Sequence, residues 1–99
     1  MIKYITVDDE TASHNIIKDY ASNISYLSHQ KSCYNAFEAI EYLNNNTVDL
    51  IFLDINMPKL SGFDFLKTLH NPPRIIVTTA YKEFAVEGYE LSIDDYLLK

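Results

Sequence analysis

Short runs of β-branched and apolar residues alternate with stretches of helical periodicity along the whole of this 99-residue chain. Ile2-Lys3-Tyr4-Ile5-Thr6-Val7 reads as a strand, with Asp8-Asp9 directly after it. Thr11 and Ser13 open a helix that carries Ala12, Ile16 and Tyr20 at helical spacing and ends near Asn23. A weaker strand is predicted over Tyr26–Lys31, then a helix over Asn35–Asn44 with Ala36, Phe37, Ile40 and Leu43 on one face. Leu50-Ile51-Phe52-Leu53 is an unbroken apolar run, as a strand covered on both faces requires. Phe63, Leu66 and Leu69 mark a third helix, which Pro72-Pro73 ends. Arg74–Thr78 reads as another buried strand, Lys82–Glu90 as a short helix built around Ala85 and Tyr89, and Asp95–Leu98 as a last strand. Alternation of this kind calls for crossover connections, and these place parallel strands side by side with helices on both faces. The expected class is therefore α/β, a doubly wound five-stranded parallel sheet, with no helix after the fifth strand.

Composition narrows the functional classes. The length accommodates a single domain. Eight Lys and Arg against fourteen Asp and Glu give a formal charge of −6, which argues against direct nucleic-acid binding by this segment. No apolar run approaches the roughly 20 residues of a membrane helix, and the N-terminus lacks a signal-peptide pattern, so a cytoplasmic location is expected. Cys33 stands alone, which excludes an internal disulfide and disfavours a Cys-based zinc site. Glycine occurs only at 62 and 88, so no Gly-rich loop can cradle a nucleotide phosphate.

In open α/β sheets, ligands bind outside the carboxyl ends of the strands. Asp8 and Asp9 follow the first strand, Asp54 follows the third, Thr79 ends the fourth, and Lys99 ends the fifth. The chemically able side chains thus fall at one end of the sheet. Three carboxylates gathered there repel one another, and a hard divalent cation with oxygen ligands relieves the repulsion. Mg²⁺ suits such a site, since it keeps waters and accepts one or two carboxylates plus phosphate oxygens. A cation, a carboxylate nucleophile, a hydroxyl and an ammonium together fit phosphoryl transfer, in which positioning and charge stabilisation do most of the catalysis.

Four pieces of sequence, in order and at the ends of the predicted strands, match one family. They are Val7-Asp8-Asp9-Glu10, Leu53-Asp54-Ile55-Asn56-Met57-Pro58 with Ser61-Gly62, Val77-Thr78-Thr79-Ala80-Tyr81, and Asp95-Tyr96-Leu97-Leu98-Lys99. The chain resembles the receiver domain of bacterial two-component response regulators over all 99 residues. The resemblance implies a flavodoxin-like sheet of order 2-1-3-4-5. It implies that Asp54 is the phosphoacceptor, that Asp9 binds Mg²⁺ directly and Asp8 through water, and that Asp54 and the Asn56 carbonyl complete the protein ligands. It further implies that Thr79 is the switch hydroxyl, Tyr96 the switch aromatic, and Lys99 the partner of the phosphoryl oxygens. The partner implied is a sensor histidine kinase, whose phosphohistidine supplies the group, and the domain later hydrolyses its own acyl phosphate. The stretch Thr79–Ala85, together with Asp95–Lys99, is most similar to receivers joined to a LytTR-type DNA-binding domain.

Family members continue past the lysine with a proline and a last helix. Residues 1–99 are accordingly expected to be a receiver truncated before that helix, with an effector domain beyond residue 99. One flank of the sheet beside the first helix is expected to be uncovered, and a homodimer through that flank or the fourth-helix region is the expected association. Tyr81, Phe84 and Tyr89 are candidate contacts there.

Plainer readings stand beside these. Asp8 and Asp9 could cap the first helix. Thr78 competes with Thr79 for the switch role, Tyr96 could be ordinary core, and Lys99 a tail residue. His14, His29 and His70 lack metal-ligand spacing and are expected at surface or helix positions. Cys33 is expected to be buried and without a redox role. Three other functions compete: an aspartyl-nucleophile phosphatase, which resembles Asp-x-Asp where this chain has Asp54 and Asn56; a flavin binder, whose phosphate Asp8-Asp9-Glu10 would repel; and a receiver-like interaction module that is not phosphorylated.

Overall fold

The computed structural model of the chain describes residues 1–55, 57, 59–79 and 95–98, with Thr79 and residues 95–98 described by their backbone alone. The element order is β1 (Ile2–Val7), α1 (Thr11–Ser22), β2 (Leu27–Cys33), α2 (Ala36–Asn45), β3 (Leu50–Asp54), α3 (Gly62–Lys67), β4 (Arg74–Thr79) and β5 (Asp95–Leu98). The strands form one sheet in the order β2-β1-β3-β4-β5, and every neighbouring pair is parallel. The expected doubly wound sheet and its strand order are both found. The predicted helix over Lys82–Glu90, with Tyr81, Phe84 and Tyr89, lies outside the described residues.

Each sheet face has its own core. Ile5, Val7, Ile51, Leu53, Ile75 and Val77 point to the side covered by α2 and α3, where Ala36, Ala39, Phe63, Phe65 and Leu66 meet them. Tyr4, Leu50 and Phe52 point to the other side, against Ile17 and Ala21 of α1. The alternation is the two-residue period of the strand. All five residues of β3 are buried, which explains why its sequence carries no polar stripe. Each large apolar side chain enclosed this way contributes about 1.5–3 kcal/mol.

Local chemistry sets the helix ends. Asn35 caps α2: its Oδ1 accepts the Glu38 N–H at 2.9 Å, and its Nδ2 donates to the Glu38 carboxylate at 3.2 Å. Ser61 caps α3 in the same reciprocal way with Asp64. α1 begins at Glu10 without a side-chain cap, so neither Asp8 nor Asp9 has the capping role open to it in sequence.

Three expectations need correction. The stripe Ala12, Ile16 and Tyr20 is not the buried face of α1; Ile16 and Tyr20 are half exposed, and Ser13, His14, Ile17 and Ala21 are buried instead. Phe37 is likewise 55% exposed, and Ala39 takes its place in the core of α2. The rotation of each helix about its axis, rather than hydropathy alone, decides which positions face the sheet. His14 lies on α1, a helix position as expected, and is buried there. β2 also begins one residue later and runs two residues further than predicted.

Between α1 and the sheet lies a groove of about 340 Å³, lined by Ile2, Tyr20, Tyr26, Leu27, Phe52 and Ile76 among others. No helix among the described residues is long and apolar enough to cross a membrane.

Candidate functional site

The sheet delivers three carboxylates to one point. Asp8 extends β1 by one residue: its N–H donates to the Cys33 carbonyl at 3.0 Å, continuing the ladder to β2. Its carboxylate Oδ1 accepts the Glu10 N–H at 3.0 Å, which fixes the turn into α1. Its carbonyl accepts from His14 Nε2–H at 2.9 Å, so the first turns of α1 hold the same residue from behind. Asp54 is the last residue of β3, the strand paired with β1 through Val7 and Leu53. Asp8 and Asp54 are buried, at 1% and 4% exposure, and Asp9 is exposed. One carboxylate oxygen from each of Asp8, Asp9 and Asp54 lies within 4.8 Å of the other two.

Such a donor set fits a hard cation. All three groups offer oxygen, and neither imidazole nor thiolate belongs to the cluster, which favours Mg²⁺-like ions over zinc. Two walls are buried and one ligand faces solvent, so an ion there would keep water on its open side. Carboxylates this close repel one another, and a divalent charge converts that repulsion into attraction.

The loop after Asp54 is closed by Gly62, whose N–H donates to the Ile55 carbonyl at 3.1 Å. Gly62 packs directly on the β3 end; a Cβ there would collide with the Asp54 carbonyl oxygen and lie 2.6 Å from Ile55 Cα. Lys59 turns this loop with a left-handed φ of 68°. On the neighbouring strand, Thr78 is the register partner of Asp54.

Of the residues proposed from sequence, Asp8, Asp9 and Asp54 are therefore brought together. Asn56 and Lys99 lie outside the described residues, as do the side chains of Thr79 and Tyr96. Sequence reasoning missed His14. Metal-ligand spacing does not reveal this imidazole, which serves the Asp8 backbone and packs its ring on Tyr34 at 4.4 Å between centroids. The signal available was its position one turn after Asp-Asp. His29 and His70 are exposed, as expected.

Comparison with known proteins follows the same lines. The family model for the response regulator receiver domain matches residues 5–99. The sensory transduction protein LytR of Staphylococcus haemolyticus is 39% identical over 101 residues, spanning 99% of this chain and 40% of that protein. The chain thus spans about two fifths of the length of the curated relatives it matches. Among solved structures, the response regulatory domain of protein mrkE from Klebsiella pneumoniae superposes with a TM-score of 0.89 at 35% identity, covering 99% of this chain and 83% of that one. The response regulator TrrA of Thermotoga maritima, solved in complex with Mg²⁺-BeF, superposes with a TM-score of 0.85 at 25% identity, covering 100% of this chain and 87% of that one.

Proposed function

We propose that Asp54 accepts the phosphoryl group in this chain, which belongs to the response regulator receiver domain family and is thus a phosphoacceptor module of two-component signalling. The observation that carries the assignment is the convergence of Asp8, Asp9 and Asp54 within 4.8 Å, from the ends of two adjacent strands. Asp54 ends β3, the central strand whose residues are all buried, so its backbone is held firmly at the carboxyl end of the sheet. In the transfer, an Asp54 Oδ bonds to phosphorus as the bond to the donor breaks, and the electron pair leaves with the donor. With a phosphohistidine donor, the leaving imidazole recovers its proton.

Asp8 and Asp9, with Asp54 and the Asn56 carbonyl, would hold Mg²⁺. When bound, the ion neutralises the charge gathered on the phosphoryl oxygens. The Mg²⁺-BeF complex of TrrA supports the choice of metal. Asp8 is fixed by hydrogen bonds to Cys33, Glu10 and His14, so it orients the site without reorganising. Thr79 and Lys99 would contact the phosphoryl oxygens, and Tyr96 would move behind them as the output switch. A sensor histidine kinase is the donor in this reading. Hydrolysis of the acyl phosphate by the same site would reset the switch.

In this reading residues 1–99 are the receiver of a cytoplasmic regulator whose output is DNA binding; the relatives named transcriptional regulatory protein BtsR, of which the chain spans 42%, support an output in transcription. Incubation with Mg²⁺ and a small phosphodonor, followed by intact-mass measurement, tests the assignment. Wild type should gain one phosphoryl group, and Asp54→Asn should gain none. Equal labelling of both proteins would contradict it.

A further inference from the structure

His14 is 2% exposed, on the buried face of α1 with Ile17 and Ala21. Its Nδ1 has no hydrogen-bond partner among the described residues. A buried polar atom left unpaired is costly, and leucine would fill the position without that cost. Packing alone therefore does not explain an imidazole here. What the imidazole adds is its other nitrogen. A carbonyl can only accept, so the 2.9 Å contact with the Asp8 oxygen puts the proton on Nε2.

Side chains of a helix lean toward its N-terminus. His14 reaches in that direction, past the N-cap Glu10, to the carbonyl two residues before it. The end of β2 braces the contact: the Cys33 carbonyl accepts the Asp8 N–H, and the ring of Tyr34 packs on the imidazole at a tilt of 42°.

The gripped carbonyl belongs to the planar peptide unit that ends at the Asp9 Cα. Of the three clustered carboxylates, that of Asp9 is the exposed one. No hydrogen bond holds its side chain among the described residues. Its direction is thus set by the backbone that carries it. Three bonds anchor that backbone: Asp8 N–H to Cys33, the Asp8 carbonyl to His14, and Glu10 N–H to Asp8 Oδ1. Only the His14 bond acts on the peptide unit leading into Asp9. Without it, rotation on either side of that plane swings the Asp9 Cβ away from the other two carboxylates.

We propose that His14 is a positioning residue of the acidic pocket: through the Asp8 carbonyl it pins the peptide that aims Asp9 at the Mg²⁺ position. This rests on Asp8, Asp9 and Asp54 sharing the ion. A ligand set held in place before the ion arrives loses less freedom on binding, so His14 strengthens Mg²⁺ affinity without touching the metal.

The test measures the Mg²⁺ Kd by titration calorimetry at constant pH for wild type, His14→Leu, His14→Gln and Ile17→Val, with melting in EDTA in parallel. His14→Leu should bind Mg²⁺ about two- to tenfold more weakly, the range one neutral hydrogen bond sets. His14→Gln, whose amide nitrogen reaches where Nε2 stood, should restore the affinity. Ile17→Val, on the same buried face, should melt lower with the Kd unchanged. If the leucine variant does not fold, His14→Asn replaces it; its shorter amide falls short of the carbonyl and should weaken binding likewise. A Kd unmoved by removal of the Nε2 donor, a glutamine variant as weak as the leucine one, or an equal loss in Ile17→Val overturns the proposal. A wild type that binds no Mg²⁺ overturns the shared-ion reading itself, a separate outcome.

Discussion

Cys33 ends β2 with no exposed surface, and burial pushes its thiol up to about 11. The nearby Lys31 opposes that rise and Glu38 adds to it, but loss of solvation dominates. A thiol that stays protonated is a poor nucleophile. Alkylation by iodoacetamide at pH 8 should therefore be far slower in the native protein than in urea; equal rates would contradict the burial. Because the folded thiol holds its proton above the unfolded value, its contribution to stability is complete below about pH 9 and fades as pH rises toward 11. At this scale the sequence was informative where strand ends fix position. Asp8, Asp9 and Asp54 were legible because alternation of elements puts all strand carboxyl ends together. His14 was not, because its partner is the backbone carbonyl of Asp8, six residues earlier, and a backbone carbonyl leaves no mark in the sequence.

At the scale of elements, the β3–α3 connection depends on Gly62. Its N–H closes the loop on Ile55, and the space for a Cβ is taken by backbone atoms of Asp54 and Ile55 rather than by a movable side chain. Gly62→Ala must displace the strand end that carries Asp54. The expected cost is about 1–3 kcal/mol, as for other overpacked sites, together with slower phosphorylation. Chemical denaturation and intact mass check the two effects; an alanine variant with wild-type stability would contradict the packing. The helices show why periodicity reads existence better than orientation. α1 and α2 form where predicted, but the buried positions are Ser13, His14, Ala36 and Ala39 as much as the larger apolar ones. Ile16, Tyr20 and Phe37 remain partly in water. Hydropathy alone ranks those residues inward, whereas the rotation of each helix about its axis decides which positions meet the sheet.

For the molecule as a whole, parallel pairing was legible in the alternation of strand and helix, but the order β2-β1-β3-β4-β5 was not. Any doubly wound order satisfies the same hydrophobic pattern, and the observed one came only with the family resemblance. That order matters because it makes β1 and β3 neighbours, and only neighbours can bring Asp8, Asp9 and Asp54 within 4.8 Å. A shared cation then links site and fold: an ion that binds the folded chain stabilises it by mass action, about 2.7 kcal/mol at a hundredfold excess over Kd. The most direct test is thermal unfolding across a Mg²⁺ titration for wild type, Asp9→Asn and Asp54→Asn. The Tm of wild type should climb with Mg²⁺, and both variants should respond much less while melting no lower than wild type without the metal, since a repelling charge has been removed. A wild-type Tm indifferent to Mg²⁺, or the same climb in all three proteins, would contradict the common site.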